Sequence, residues 1–373
     1  MDMPHYRWIK DVVWKAYSKF DGIPDFRRAW DQTYMWMNGR NLNQGEFFSE
    51  DSPLKKATRS ANAIIAARGI KNHIFDVGPD VWTETFFALN FESAGRHIIK
   101  PSLELCHALM TTEPTMPMSH LRLPFPCIYI DIPEGARIDW LGDDLVKCGE
   151  LRAMYALELS GKNIRTPIGT IDHGIFLGCV RHLTVKTNGL GPLDEFEVKY
   201  SILEHYGDRD DRLLTDIMGD MEREVKGLKP NLPDVAIDSG KRLHNLFFNL
   251  ILFLSNPELC GRTRVEHPLL ARLSRAEGDS ASRIPIMWQI VKCPQAVDTL
   301  SVGEGFTSTQ QERDGAAEQM SGARTTVRTH WRRGHWRGVW QGSASDRKLV
   351  PHWIRATIVN AGITTTPEGT SHI

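Results

Sequence analysis

Apolar residues in the first third of the chain recur at steps of three and four, which places their side chains on one face of an α-helix. The first such segment ends before Asp21, Gly22 and Pro24, residues typical of a helix end. The same pattern predicts three further helices, near residues 25–37, 53–68 and 79–110. Gly95 and Pro101 are expected to divide the last of these helices.

From residue 121 onward, short β-branched and aromatic runs replace the helical pattern. In LRLPFPCIYIDIPEG (121–135), prolines bracket the run Cys127–Ile132, which predicts a strand. Similar runs follow near 136–141, 151–159 and 171–185. Turn residues such as Asn188 and Gly189 separate or follow these runs, so we expect a mainly antiparallel sheet.

Three later segments are distinguished by composition. The interval 194–224 is rich in Asp and Glu, which predicts a solvated helix face. The apolar run LHNLFFNLILFLS (243–255) is too short to cross a bilayer and predicts a buried helix. The interval 301–326 is poor in apolar residues and rich in Gly, Ser, Thr and Gln, which predicts a linker or a long loop.

These patterns predict an α+β protein with a helical N-terminal region, a central mainly antiparallel sheet and a C-terminal β-hairpin that returns to the sheet. The predicted division is a helical region 1–120, the central sheet with the buried helix 121–260, a long loop or linker 261–326, the hairpin 327–362 and a tail 363–373. No internal repeat is visible, which excludes solenoids and propellers.

Charge and cysteine content narrow the class of protein. The 373 residues include 45 basic and 46 acidic side chains, so any affinity for nucleic acid must come from a local patch. The six cysteines contain no C-x-x-C pair, which predicts reduced, mostly buried thiols rather than a zinc site. Reduced thiols are typical of the cytosol, so we expect a cytoplasmic protein with no membrane partner. The N-terminal segment has no uninterrupted apolar stretch, which is unlike a secretory signal.

The common catalytic motifs are absent from the sequence. It contains no G-x-x-x-x-G-K-[ST], no H-E-x-x-H and no G-x-S-x-G. We therefore expect no cofactor and no metal ion, and we assign no catalytic residue. The isolated pair Asp172-His173 is expected to be structural.

The segment HWRRGHWRGVWQG (330–342) concentrates charge and aromatic side chains. From Arg324 to Arg355 the chain has eight basic residues against one acid, Asp346. Alternation predicts a strand in which Trp336 and Trp340 face one side and His335 and Arg337 the other, followed by a return strand from Leu349 to Val359.

Three interpretations of this hairpin remain open. The indoles could fill the core while solvated arginines form a rim. Stacked indoles and guanidinium groups could instead bind single-stranded nucleic acid or an extended acidic peptide. Acid and base catalysis by His330 and His335 would need a bulge at Gly334, because a spacing of five puts the two histidines on opposite faces. A zinc site that adds His352 would need its other ligands from distant residues. The candidate peptide- or RNA-binding residues are Arg332, Arg333, His335, Trp336, Arg337, Trp340, Trp353 and Arg355.

Three segments also carry a family resemblance. The run R-R-G-H-W-R-G-V-W-Q-G, followed by I-V-N at 358–360, resembles the C-terminal signature of a type V-A anti-CRISPR family, the second-named inhibitor of that group. P-C-I-Y-I-D-I (126–132) looks like the central strand of that family, and the helix Leu246–Leu254 with N-P-E at 256–258 is similar to a third feature.

The resemblance implies an inhibitor that lowers production of the type V-A CRISPR effector nuclease in a bacterial host cell. The implied partner is the N-terminal peptide of that nuclease as it leaves the ribosome, with loss of the translated mRNA. The ribosome or the mRNA would be a further partner. The alternative from the residues themselves is an RNA-binding protein or ribonuclease that acts through the C-terminal hairpin.

Overall fold

The described part of the chain fixes most of the helices and strands. The structure, a computed structural model, describes residues 5, 6, 9, 25–39, 52–67, 79–141, 148–166, 169–187, 191–204, 211–228, 230, 232–255, 262–276, 280–293, 295–303, 330–332, 335–343, 347–354 and 357–359. The chain divides into two units. The first unit comprises 1–101, 122–211 and 262–302, and the second comprises 102–121, 212–261 and 303–373.

The elements are numbered in chain order. The helices are α1 (Phe26–Gly39), α2 (Pro53–Ala67), α3 (Pro79–Ser93), α4 (Leu103–Met110), α5 (Leu214–Leu228), α6 (Asp234–Leu254), α7 (Pro268–Arg275) and α8 (Ser280–Val291). The strands are β1 (His97–Pro101), β2 (Cys127–Asp131), β3 (Ile138–Leu141), β4 (Cys148–Thr166), β5 (Gly169–Thr187), β6 (Gly191–Glu204), β7 (Arg262–Val265), β8 (Asp298–Val302), β9 (His330–Arg332), β10 (His335–Gln341), β11 (Lys348–Ile354) and β12 (Thr357–Val359).

An eight-stranded mixed sheet forms the centre of the first unit. Its order is β6-β5-β4-β2-β1-β8-β7, and β3 also pairs with β4. Strand β1 is parallel to both β2 and β8, whereas the other pairings are antiparallel. The predicted α+β class and the mainly antiparallel sheet are therefore confirmed.

Helix α3 packs its aromatic side chains against this sheet. Phe86, Phe87 and Phe91 are almost completely buried, which is typical of a helix enclosed on all sides. The Phe87 ring stacks on Tyr155 of β4 with centroids 5.3 Å apart. On β5, a Cβ at Gly178 would lie 2.7 Å from the Phe87 ring, so this strand position requires glycine.

The segment 79–110 is divided at Gly95 and Pro101, as expected, but the residues between them form a strand that was not predicted. Gly95 and Arg96 both have positive φ angles, 103° and 57°, and reverse the chain from α3 into β1. The buried Arg96 guanidinium donates hydrogen bonds to the carbonyl oxygens of Ile290 and Cys293, at 3.1 and 3.0 Å, and pairs with Glu92. These bonds offset the strain of a non-glycine residue at positive φ.

Two other expectations are corrected. The interval 194–224 is not one helix, because 191–204 forms β6 and only the later part forms α5. The alternation F-E-V-K-Y-S-I from Phe196 explains the strand, since its apolar residues recur at every second position. The predicted linker 261–326 contains β7, α7, α8 and β8, while residues 304–329 lie outside the described part.

The second unit is organised around α6, which confirms the predicted buried helix. Every residue from Asn245 to Leu254 is buried. Two asparagines on this helix donate hydrogen bonds to the end of α4, Asn245 to the carbonyl of Met110 and Asn249 to that of Leu109. None of the helices in the described ranges is both long enough and apolar enough to cross a membrane.

Candidate functional site

The C-terminal ribbon, defined here as residues 330–332, 335–341, 348–354 and 357–359, consists of two antiparallel strand pairs. In the described residues β10 pairs with β11 and β9 with β12, and the expected pairing of the hairpin with the central sheet is not among these contacts. The two pairings share one register, because His330 lies opposite Val359 and His335 lies opposite Ile354, five residues along each strand.

The bulge that acid and base catalysis by His330 and His335 would require lies at Gly334, outside the described residues, so that interpretation stays a prediction.

One face of the ribbon, here called the inner face, is anchored in the second unit through two tryptophans. Trp336 and Trp353 lie directly opposite each other, are only 4% and 5% exposed, and form an edge-to-face pair with centroids 5.2 Å apart. The Trp336 Nε1–H group donates a 2.8 Å hydrogen bond to Asn249 Oδ1 on α6. The Thr115 hydroxyl donates to the backbone carbonyl of Trp336, at 3.3 Å.

Beyond this anchor, the inner face becomes an exposed apolar strip formed by Trp340, Leu349 and Pro351. The Trp340 side chain is 64% exposed, and Leu349 and Pro351 are half-buried. A Cβ at Gly338 would lie 2.8 Å from the Leu349 side chain, so the missing side chain is what lets Leu349 pack across the ribbon. An exposed indole beside half-buried aliphatic carbons is typical of a surface that buries a partner.

The opposite face, here called the outer face, carries basic side chains. Arg337 and His352 are exposed and lie directly opposite each other on β10 and β11. Arg347 is exposed just before β11, at a position whose alternation matches the inner-face residues Leu349 and Pro351. Within the described ranges none of these three side chains has an ion-pair partner.

The structure separates the candidate residues by face and by depth. Arg337 and Trp340 are exposed and His335 is half-buried. The buried Trp336 and Trp353 support the ribbon and are not accessible to a partner. Arg332 lies on β9, where only the backbone is described, and Arg333 and Arg355 lie outside the described residues.

Sequence reasoning did not assign three residues to this site, although it considered His352 as a zinc ligand and placed Leu349 on the return strand. Asn249 could have been noticed as an amide inside an otherwise apolar helix, which usually marks a specific hydrogen bond. His352 and Leu349 required the register, because only the length of the turn shows which residues they face. Asp172 and His173 lie on β5, where only the backbone is described.

The first unit contains a second polar cluster at the starts of β1 and β8. Asp298 accepts hydrogen bonds from His97 Nδ1 at 2.8 Å and from Arg264 Nε and Nη2 at 3.1 and 2.8 Å. The His97 ring stacks on Phe125 at 3.6 Å, and burial lowers the pKa of His97. This cluster holds neighbouring strands together. In the part of the chain that is described, no group of three or more His, Cys, Asp or Glu residues is placed to hold a metal ion.

The fold and the site define an α+β protein whose second unit presents a basic, aromatic two-stranded ribbon. A family model matches residues 99–361, more than half of the chain, including α6 and the ribbon. The chain belongs to this AcrVA2-like family, described as the anti-CRISPR type V subtype A2 family. The resemblance carried by the three sequence segments is thereby confirmed, and the protein is an anti-CRISPR inhibitor.

A solved structure supports the same fold. The chain resembles the crystal structure of AcrVA2 with a TM-score of 0.50 and 16% sequence identity, over 96% of this chain and 100% of that one. No curated protein matches the chain.

Proposed function

We propose that this anti-CRISPR protein binds the N-terminal peptide of a type V-A CRISPR effector nuclease as the peptide leaves the ribosome. Binding would lower synthesis of the effector through translation-coupled loss of its mRNA. The observation that carries the proposal is the exposed apolar strip of Trp340, Leu349 and Pro351 on an anchored ribbon.

A two-stranded ribbon suits a nascent peptide because such a peptide is extended and has unpaired backbone groups. In the described residues, β10 and β11 pair only with each other. A peptide that adds as a third strand gains backbone hydrogen bonds from the ribbon edge, and its alternate side chains reach one face. The strip would then bury the apolar side chains of the peptide and supply selectivity.

The contacts that anchor the ribbon to α6 should also strengthen its binding to a peptide. The hydrogen bonds from Trp336 to Asn249 and from Thr115 to Trp336 fix the inner end before any partner arrives. A preorganised surface loses less conformational entropy on binding than a mobile hairpin would. The partner would therefore meet an exposed indole that is already held in place.

The test is binding of the full-length protein to a synthetic peptide of the effector's N-terminal residues, measured by fluorescence anisotropy. Trp340→Ala should raise Kd by about tenfold or more, the effect of removing an exposed aromatic anchor. Trp288→Ala is the matched control, because Trp288 on α8 is also exposed, at 39%, but belongs to the first unit. This control should bind as the wild type does.

Co-expression of each variant with the effector nuclease tests the same proposal in cells. The wild type and Trp288→Ala should lower both effector protein and effector mRNA, and Trp340→Ala should lower neither. The proposal fails if the peptide does not bind, or if the two tryptophan variants behave alike.

A further inference from the structure

The inner face of the ribbon lacks a side chain between its buried and its exposed end. Along β10 the inner-face positions are Trp336, Gly338 and Trp340, of which the first is 4% and the last 64% exposed. Gly338 lies directly opposite Pro351, and Trp340 lies directly opposite Leu349. The glycine therefore separates the anchor from the exposed indole of the apolar strip.

Space, and not backbone conformation, is what requires glycine at position 338. The described glycines with a positive φ are Gly95, Gly303 and Gly342, so Gly338 has a backbone that other residues also adopt. A Cβ at this position would lie 2.8 Å from Cδ1, 3.1 Å from Cγ and 3.2 Å from Cδ2 of Leu349. A glycine inside a strand often marks such a close approach.

Leu349 leans across the ribbon toward Gly338, although the residue directly opposite it is Trp340. Diagonal neighbours on two paired strands are within reach of long side chains. In this position the leucine is half-buried, and the indole opposite it stays largely exposed. We propose that Gly338 holds Leu349 away from the indole of Trp340 and thereby leaves the indole free to pack on a large apolar side chain of the peptide.

This inference rests on the proposed function, since it assigns the contact with the peptide to the ring of Trp340. Gly338 is a positioning residue, because it acts on the partner through Leu349 and Trp340. If a methyl group at position 338 displaces Leu349, the indole is the apolar neighbour directly opposite the leucine. Contact between the two would remove both surfaces from water, so Gly338→Ala should cover the indole without changing any charge.

The first measurement needs no peptide. In the full-length protein labelled with fluorotryptophan, the fluorine resonance of Trp340 is identified by its loss in Trp340→Phe. The shift of this resonance between ordinary and heavy water measures how far the indole is exposed to solvent. Gly338→Ala should reduce this solvent shift. Gly219→Ala on α5, where a Cβ meets nothing within 4 Å, is the matched control and should leave the solvent shift unchanged.

A double-mutant cycle tests whether Leu349 transmits the effect. Leu349→Ala removes the three atoms that a Cβ at Gly338 would meet. In the Leu349→Ala background, Gly338→Ala should therefore leave the solvent shift of Trp340 unchanged. An equal reduction with and without the leucine would overturn the inference, because the methyl group would then act by distorting the strand.

Binding of the effector's N-terminal peptide is measured next, by fluorescence anisotropy. Gly338→Ala should raise Kd about tenfold, and Gly219→Ala should not change it. In the Trp340→Ala background, Gly338→Ala should have no further effect on Kd, because the indole that the leucine covers is absent.

The two measurements separate this inference from the peptide proposal. If the wild type does not bind the peptide, the proposed function fails, whereas the solvent shift still decides whether Gly338 sets the exposure of Trp340. The inference is overturned if Gly338→Ala leaves the solvent shift unchanged, or if the solvent shift falls while Kd stays that of the wild type. It is also overturned if Gly338→Ala weakens binding equally in the Trp340→Ala background.

Discussion

Asn249 is predicted to hold the ribbon in place, and its replacement should detach the ribbon from α6. The side chain is fully buried, accepts from Trp336 Nε1 at 2.8 Å, and donates to the carbonyls of Leu109 and Thr112 at 3.0 and 2.8 Å. In Asn249→Ala these three groups lose their side-chain partner. The Leu109 carbonyl keeps a bond from the Thr112 backbone N–H, at 3.2 Å.

Two groups therefore dominate the cost, the Trp336 indole N–H and the Thr112 carbonyl. A buried polar group without a partner costs about 1–3 kcal/mol, so the free energy of unfolding should fall by about 2–6 kcal/mol. Asn245→Ala is the matched control one turn earlier on α6. Asn245 is 5% exposed and donates one bond, to Met110, and its own Oδ1 has no hydrogen-bond partner in the described residues. Its replacement should cost only about 1 kcal/mol.

Urea unfolding followed by tryptophan fluorescence measures both free energies, and amide hydrogen exchange shows where the loss occurs. Asn249→Ala should accelerate exchange throughout β10 and β11, whereas Asn245→Ala should leave the ribbon protected. Equal destabilisation by the two variants, or a ribbon whose exchange is unchanged in Asn249→Ala, would refute the reasoning.

Two further predictions concern stability. Gly178→Ala would place a Cβ 2.7 Å from the Phe87 ring and should lower the free energy of unfolding by about 1–3 kcal/mol in the same urea titration. The control is Gly240→Ala on α6, where a Cβ meets nothing within 4 Å, and it should not lower that free energy. Burial lowers the pKa of His244 to about 4, so the folded protein keeps this ring neutral while the unfolded chain titrates near about 6.5. The free energy of unfolding should therefore fall as the pH is lowered from about 6.5 toward 4. His244→Gln should remove part of that loss in thermal melts across this range, and an unchanged pH profile would contradict the assignment.

The pattern of apolar residues was sufficient to predict the long helices and strands of the fold. The long apolar run of α6 is typical of a buried helix, and the short β-branched run of β2 is typical of a strand. Strand β1 could not be recognised in the same way, because its five residues lie between two helices with a continuous apolar pattern. The helix ends before β1 because Gly95 and Arg96 adopt positive φ, and the hydrogen bonds of Arg96 stabilise that conformation.

The candidate site could be predicted only in part, for a related reason. Alternation along the ribbon places Trp336 and Trp340 on the same face, but it cannot tell which of them is buried. That depends on Asn249, which lies 87 residues before Trp336 in the sequence. Of the two indoles, Asn249 bonds that of Trp336. The strand pairing of Arg337 with His352 likewise depends on the turn, whose length has no signature in the flanking residues.

The inner face of the ribbon has a buried end that attaches it to α6 and an exposed end that does not. Residues of the inner end, such as Trp336 and Trp353, are constrained by packing and by a buried hydrogen bond, so their replacement acts on stability. Arg337 and Trp340 make no such contacts in the described residues, so we expect their replacement to leave the fold unchanged. Surface substitutions away from packed or hydrogen-bonded groups usually change stability by less than about 0.5 kcal/mol. Exposed positions of the ribbon could therefore change in sequence while α6 and the paired indoles keep the ribbon in the same place.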